Sequence, residues 1–409
     1  MISQVSIKNY KSIKELDLKL GRVTVLIGEN GCGKSNILEA VALCSAAVAD
    51  KLDHEFLSSR GIRVADDARF MRSAFDVQDV TDDITISVSG DQKLNETDGS
   101  NGLREFECFL QNKNNTPYSI WENVVSNKID LIDAGWSSLN KKFEELNEKF
   151  NLLGTNLGAL NLGQDFFELN HETLRAISIL RRERVGPQNL QSFLIFSPEN
   201  SALRTFETEA QIQPLGIKGE GLFKLLTVLS SEENKDSLEE IKKELMLLDW
   251  FGDFNIASNL PFGERSINIK DRYLDESLSY FTQKSANEGF LFLLFYFTLF
   301  ISRETPSFFA IDNIDASLNP KLCSRLLKEL ASLAKKHDKQ AIVTTHNPAI
   351  LDGLNLNDDE QRLFVVSRNK MGHTKVKRIF KPDVAEGQTP IPLSEAFLRG
   401  YLGGLPRNF

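Results

Sequence analysis

Gly28-Glu29-Asn30-Gly31-Cys32-Gly33-Lys34-Ser35 matches the spacing G-x-x-x-x-G-K-S/T in full. It lies between an apolar strand, Arg22 to Ile27, and a helix expected to open at Asn36. That arrangement suits a polyphosphate. The glycines let the backbone wrap so that its N–H groups point at phosphate oxygens, and the following helix adds its positive end. Lys34 is expected to bridge the β- and γ-phosphates and Ser35 to ligate magnesium, with Gly28 through Asn36 forming the cradle. ATP and Mg²⁺ are the ligands this chemistry implies.

Two further segments belong to the same chemistry. The apolar run Phe308-Phe309-Ala310-Ile311 ends in Asp312, where a carboxylate reaches Mg²⁺ through its water shell. The run Gln340-Ala341-Ile342-Val343-Thr344-Thr345 leads directly into His346. A histidine at the C-terminal end of a strand can hydrogen-bond a γ-phosphate or place the attacking water.

The elements that must position these residues can be read around them. Apolar and polar residues alternate over 2–8 and again over 13–20, giving two half-buried strands. Asn319-Pro320 supplies a helix cap and a first-turn proline, and Leu363-Phe364-Val365-Val366 reads as a further strand. Residues 91–102 form a polar loop between short strands. From about Trp121 to Arg184 the chain reads as helical, with a short heptad seam from Trp136 to Leu153. Strand and helix therefore alternate at both ends of the chain. The expected fold is an α/β P-loop nucleotide-binding core built from residues 1–115 and 280–409, with a mainly helical insertion and second lobe at 116–279.

Bulk properties exclude several classes. With 409 residues, 41% hydrophobic and 26% charged, the chain has material for a large globular core. Its net charge of −9 argues against a globally basic nucleic-acid surface. Four scattered cysteines suggest neither a disulfide framework nor a zinc site, which fits a reducing cytoplasm. No signal peptide is read at the N-terminus, and the apolar run Phe290 to Ile301 falls short of the roughly 20 residues a bilayer requires. No membrane association is expected.

The motifs in this order resemble the SMC/Rad50/RecF branch of ABC-type ATPases. Ile7-Lys8-Asn9-Tyr10-Lys11-Ser12-Ile13 is similar to that branch's N-terminal NF(K/R)S segment, which implies that Lys11 lies near the nucleotide. Ile314-Asp315-Ala316-Ser317-Leu318-Asn319 resembles the D-loop that crosses the dimer interface. The compact phage-defence ATPases of the PtuA, AriA and RloA kind look closer still. The resemblance covers roughly residues 1–50 and 280–370. It implies a head-to-head dimer or higher homo-oligomer, in which a signature helix from one subunit completes the ATP site of the other. The candidate signature here is Asn287-Glu288-Gly289, after Ser285-Ala286, so Asn287 and Gly289 are carried as nucleotide contacts, with Asn287 or Ser285 supplying the side chain.

The family's general-base glutamate is replaced by Asn313. An amide holds a water but cannot take its proton at neutral pH, so slow hydrolysis is expected, with His346 sharing the catalytic role. The leading reading is an ATP-binding switch that controls a separate effector, such as a nuclease, in anti-phage defence. Nucleic acid would then be reached through that partner. The alternative is a DNA-binding ATPase of repair or chromosome maintenance. A transporter subunit fits least, given the weak signature and the long insertion.

Overall fold

The computed structural model describes residues 1–75, 79–91, 103–113, 119–124, 189–206, 214–257, 265–275, 277–278, 280–381 and 391–404. The chain opens with strands β1 (Ile2–Tyr10), β2 (Ile13–Lys19) and β3 (Val23–Ile27), followed by α1 (Lys34–Val48) and α2 (His54–Ser59). Next come β4 (Ile84–Asp91), β5 (Leu103–Gln111), β6 (Glu122–Asn123) and β7 (Ile195–Phe196). Helices α3 (Asn200–Thr205), α4 (Leu222–Leu229) and α5 (Lys235–Leu245) precede β8 (Phe251–Ile256), β9 (Ile267–Asp271) and β10 (Phe281–Thr282). The last part holds α6 (Glu288–Ile301), β11 (Phe308–Ile311), α7 (Pro320–Lys336), β12 (Gln340–Thr345), β13 (Gln361–Arg368), β14 (Thr374–Ile379) and α8 (Leu393–Leu398).

Three sheets organise these elements. A six-stranded sheet runs β14-β13-β3-β12-β11-β7, with every pairing parallel except that of β14. A five-stranded antiparallel sheet runs β2-β1-β4-β5-β6, and β8, β9 and β10 form a third. The period-two alternation of the strands builds the layers. Val23, Val25 and Ile27 face a core shared with α6 and α7, whereas Leu26 faces the core that holds α1 and the five-stranded sheet. α1 is buried from Ile37 through Ala47. That burial follows from its place between the two sheets.

α6 is apolar on all sides because it is buried on all sides, from Phe290 to Ile301. Its 14 residues fit a core helix, and among the described residues no helix is long and apolar enough to cross a membrane. α7 begins as expected, with the Asn319 side chain accepting from Leu322 N–H at 2.9 Å and proline in the first turn. The four cysteines are all buried and free.

Two features of the middle region differ from the sequence reading. Trp121 does not open a helix. It is buried beneath the Arg72 guanidinium, 4.9 Å from its ring centre, and Glu122–Asn123 extend the five-stranded sheet. Ile195–Phe196, inside the span assigned to the insertion, joins the nucleotide-core sheet as its edge strand beside β11. The heptad seam Trp136 to Leu153 lies outside the described residues.

Lys339, before β12, is only 3% exposed. Its ammonium donates to the carbonyls of Thr305 and Pro306 and to the Thr305 hydroxyl at 2.8–3.2 Å. Burial pulls its pKa down from 10.5 to about 8. The unfolded chain therefore binds more protons between those values, and this group adds stability as pH rises from about 8 toward 10.5. Lys339→Met should flatten the rise of Tm with pH across that window relative to wild type, as measured by calorimetry. Parallel curves for the two proteins would refute this.

Candidate nucleotide-binding site

The parallel register brings the chemical residues to one end of the sheet. Ile27 is paired with Thr345, and Ile311 with Val343, so the P-loop, His346 and Asp312 leave three adjacent strands side by side. This crevice outside the carboxyl ends of parallel strands is where open α/β sheets bind ligands.

The P-loop is tightly seated. A Cβ on Gly28 would come within 2.1 Å of the Val366 carbonyl oxygen, and one on Gly33 within 2.1 Å of Thr374 Oγ1. Gly33 also has φ +107°, a conformation side chains rarely adopt. By contrast, a Cβ on Gly31 would meet nothing within 4 Å. The loop is thus packed on its back and open on its front. Thr374 Oγ1 donates to the Cys32 carbonyl at 2.9 Å and lies 2.6 Å from Ser12 Oγ, which accepts from Asn36 Nδ2 at 2.7 Å. α1 begins at Lys34, two residues before Asn36, so the lysine itself lies in the first turn.

Lys34 Nζ donates to the carbonyls of Gly28 and Glu29 at 2.8 and 3.0 Å and lies 3.3 Å from His346 Nδ1. Burial lowers the Lys34 pKa, while the charges of Cys32 and Asp312 oppose that shift. The His346 pKa is lowered as well, first by burial and then by the Lys34 charge, which favours its neutral ring. Ser35 Oγ donates to Asp312 Oδ2 at 2.9 Å, bringing the two expected magnesium ligands into contact. Thr344 holds the other oxygen of Asp312 and accepts from the Asn313 N–H at 2.9 Å. Asn313 sits at φ +54°, where asparagine is tolerated. Its exposed side chain makes no hydrogen bond to another described residue. Asp315 accepts from Thr345 Oγ1 at 2.7 Å and from His346 N–H at 3.3 Å, tying the D-loop to the histidine.

Lys11 is brought to this end through the turn between β1 and β2, at φ +47°. Its ammonium pairs with buried Glu39 and donates to the Arg63 carbonyl at 2.8 Å. Glu29 contributes through its backbone carbonyl as the Lys34 acceptor, and Asn30 is exposed on the loop. Asn287 caps α6, its side chain accepting from Phe290 N–H at 2.8 Å. A Cβ on Gly289 would lie 3.6 Å from the Ser317 carbonyl oxygen and 3.5 Å from Leu318. The candidate signature thus rests against the D-loop of its own chain. Among the described residues, neither Asn287 nor Gly289 is hydrogen-bonded to the P-loop.

Sequence reasoning missed Glu39, Arg63 and Thr374, and it quoted Ser12 only as part of the segment around Lys11. The first three carry no local spacing signal, because their partners are remote in the chain.

These residues fit Mg-ATP. The loop has an open front, a buried lysine reaches along it, and one hydroxyl and one carboxylate meet at its end. Magnesium is held by few protein oxygens and keeps several waters, so this donor set suits it. Bound there, Mg-ATP supplies a γ-phosphoryl group whose transfer to water is the available reaction.

The fold and this crevice define a P-loop ATPase head. The family model described as an AAA ATPase domain matches residues 1–351, and the chain belongs to that family. Among individual relatives, the DNA replication and repair protein RecF of Rickettsia rickettsii (strain Sheila Smith) is 37% identical over 76 residues, 18% of either chain. An OLD nuclease of Thermus scotoductus is 40% identical over 43 residues, 10% of this chain and 8% of that protein. The chain thus spans less than a fifth of the length of these relatives. An SMC head, solved bound to the C-winged helix domain of ScpA, superposes with a TM-score of 0.52 at 15% identity. That match covers 93% of this chain and 97% of the other, and it shows the shared fold. The α/β head expected from the motifs, and their resemblance to the SMC/Rad50/RecF branch, both hold.

Proposed function

We propose that the chain is an ATP-operated switch: two copies close head to head around Mg-ATP, and the closed form controls a separate effector, a nuclease in anti-phage defence. The observation that carries this reading is the pairing of a complete phosphate and magnesium site with Asn313 at the general-base position. Such a site favours holding ATP over turning it over. The placement of Asn287 supports the dimer. It is exposed where it caps α6 beside the D-loop and makes no hydrogen bond to its own P-loop, which leaves it free for a second head.

Light scattering at micromolar protein should give a monomer-to-dimer or higher shift on adding Mg-ATP, and Lys34→Ala should abolish it. A strictly monomeric wild type at saturating ATP would refute the head-to-head reading. Purification with the product of the adjacent gene, followed by a nuclease assay with and without ATP, tests the effector role. The likeness to RecF favours a second reading, an ATPase acting directly on DNA. Salt-dependent DNA binding by the isolated chain would select it.

A further inference from the structure

Glu39 lies on α1 four residues after Ser35 and three after Asn36, so all three share the helix face that flanks the P-loop. Its carboxylate is 1% exposed. A buried charge requires partners, and Glu39 has them on two sides. Lys11 pairs with one oxygen, which also accepts from the Tyr10 hydroxyl at 3.2 Å. The other oxygen accepts from Arg63 Nε at 2.5 Å and from the Arg63 backbone N–H at 3.3 Å.

Arg63 is the consequential partner. Its Nη2 donates to Asn36 Oδ1 at 3.2 Å, in the first turn of α1. Asn36 follows Ser35 directly, so the guanidinium is hydrogen-bonded to the neighbour of the expected magnesium ligand. The Arg63 side chain remains 67% exposed. Of its five N–H donors, Nε and one on Nη2 are engaged, and Nη1 makes no bond among the described residues. An arginine in this position is pre-oriented for bidentate anion recognition, but only while its other edge is held.

We propose that Glu39 is a positioning residue of the nucleotide site. As a buried anion on the P-loop helix it clamps Lys11 and Arg63 together and presents the free edge of Arg63 to the triphosphate. Without the carboxylate, two cations share the pocket, the exposed arginine turns into solvent, and the site loses a directed donor. This inference rests on the P-loop binding ATP.

Mg-ATP affinity and steady-state turnover of the full chain should be measured for wild type, Glu39→Gln, Arg63→Gln and the double variant. Glu39→Gln and Arg63→Gln should each weaken Mg-ATP binding about tenfold, the loss of roughly one charge-assisted hydrogen bond, with kcat at saturating Mg-ATP nearly unchanged. The double variant should be no weaker than either single one, because the glutamate acts through the arginine. A purely structural role would lower Tm without that coupling. Additive losses, or wild-type affinity in Glu39→Gln, would overturn the inference. Should Glu39→Gln not fold, Arg63→Lys decides: it keeps the charge on an exposed residue but cannot reach Glu39 and Asn36 together. About tenfold weaker binding supports the clamp, as expected for loss of one charge-assisted bond, and wild-type affinity overturns it. If wild type itself fails to bind Mg-ATP, the reading of the P-loop falls first.

Discussion

Lys34→Ala should leave Mg-ATP binding undetectable at concentrations that saturate the wild type. Lys34 Nζ is held inside the loop by the Gly28 and Glu29 carbonyls, and it faces His346. A phosphate entering by the open front at Gly31 exchanges those neutral acceptors for charged ones. Two charge-assisted bonds at ~1.5–3 kcal/mol each amount to a loss of roughly 10²–10⁴-fold in affinity. Lys34→Arg should not restore binding, because the planar fork does not fit where a compact ammonium is buried. Calorimetric titration of folded variants, with Tm measured alongside, checks both statements. Tight Mg-ATP binding by the alanine variant would sink the P-loop assignment and the dimerisation that depends on it.

The parts of this site legible in the sequence are those written in consecutive residues. The P-loop, the strand ending in Asp312 and the strand leading to His346 each combine a local period with a fixed end, and parallel pairing then sets them side by side. The clamp around Glu39 has no such signature. Arg63 is 24 residues away along the chain, and the Ser12–Thr374 contact closes over 362 residues. The second contact exists only once β13 has joined the sheet beside β3 and β14 has joined β13. The sequence reading took about Trp121 for the start of a helical stretch, whereas Glu122–Asn123 form a strand. The position of Trp121 is fixed by tertiary packing against Arg72, which overrides local propensity. β7 escaped notice for a similar reason: two residues, Ile195 and Phe196, are too short a run to show a period.

The candidate signature illustrates a different limit. Its position was legible, because Asn287 followed by an apolar run reads as a capped helix, and α6 begins there. What it contacts was not legible. In a single chain it lies against Ser317 and Leu318, residues some thirty positions further along that no local spacing ties to it.

Asn313→Glu should raise steady-state ATP turnover by up to roughly 10²–10⁴-fold, the usual contribution of a general base. The site is otherwise complete. Asp312 is held by Ser35 and Thr344, and Asn313 projects beside it with an exposed amide that makes no hydrogen bond to a described residue. Glutamate at φ +54° carries a backbone penalty on the order of 1–2 kcal/mol, so a lower Tm is expected as well. That penalty acts on folding. The gain in turnover is read at saturating Mg-ATP, where altered binding cannot be mistaken for chemistry. The turnover that remains in the wild type depends on His346, and His346→Ala should lower it. Burial and the Lys34 charge hold the His346 pKa below that of an ordinary histidine, which favours the imidazole as a proton acceptor. The acid limb of wild-type turnover should accordingly lie at lower pH than an unperturbed histidine would give. In Asn313→Glu the histidine becomes dispensable, and adding His346→Ala should cost less than it does in the wild type. A wild type that already turns over ATP on the order of tens per second, or a glutamate variant slower than it, would make Asn313 a competent water-positioning residue in an ordinary ATPase and end the case for a slow switch.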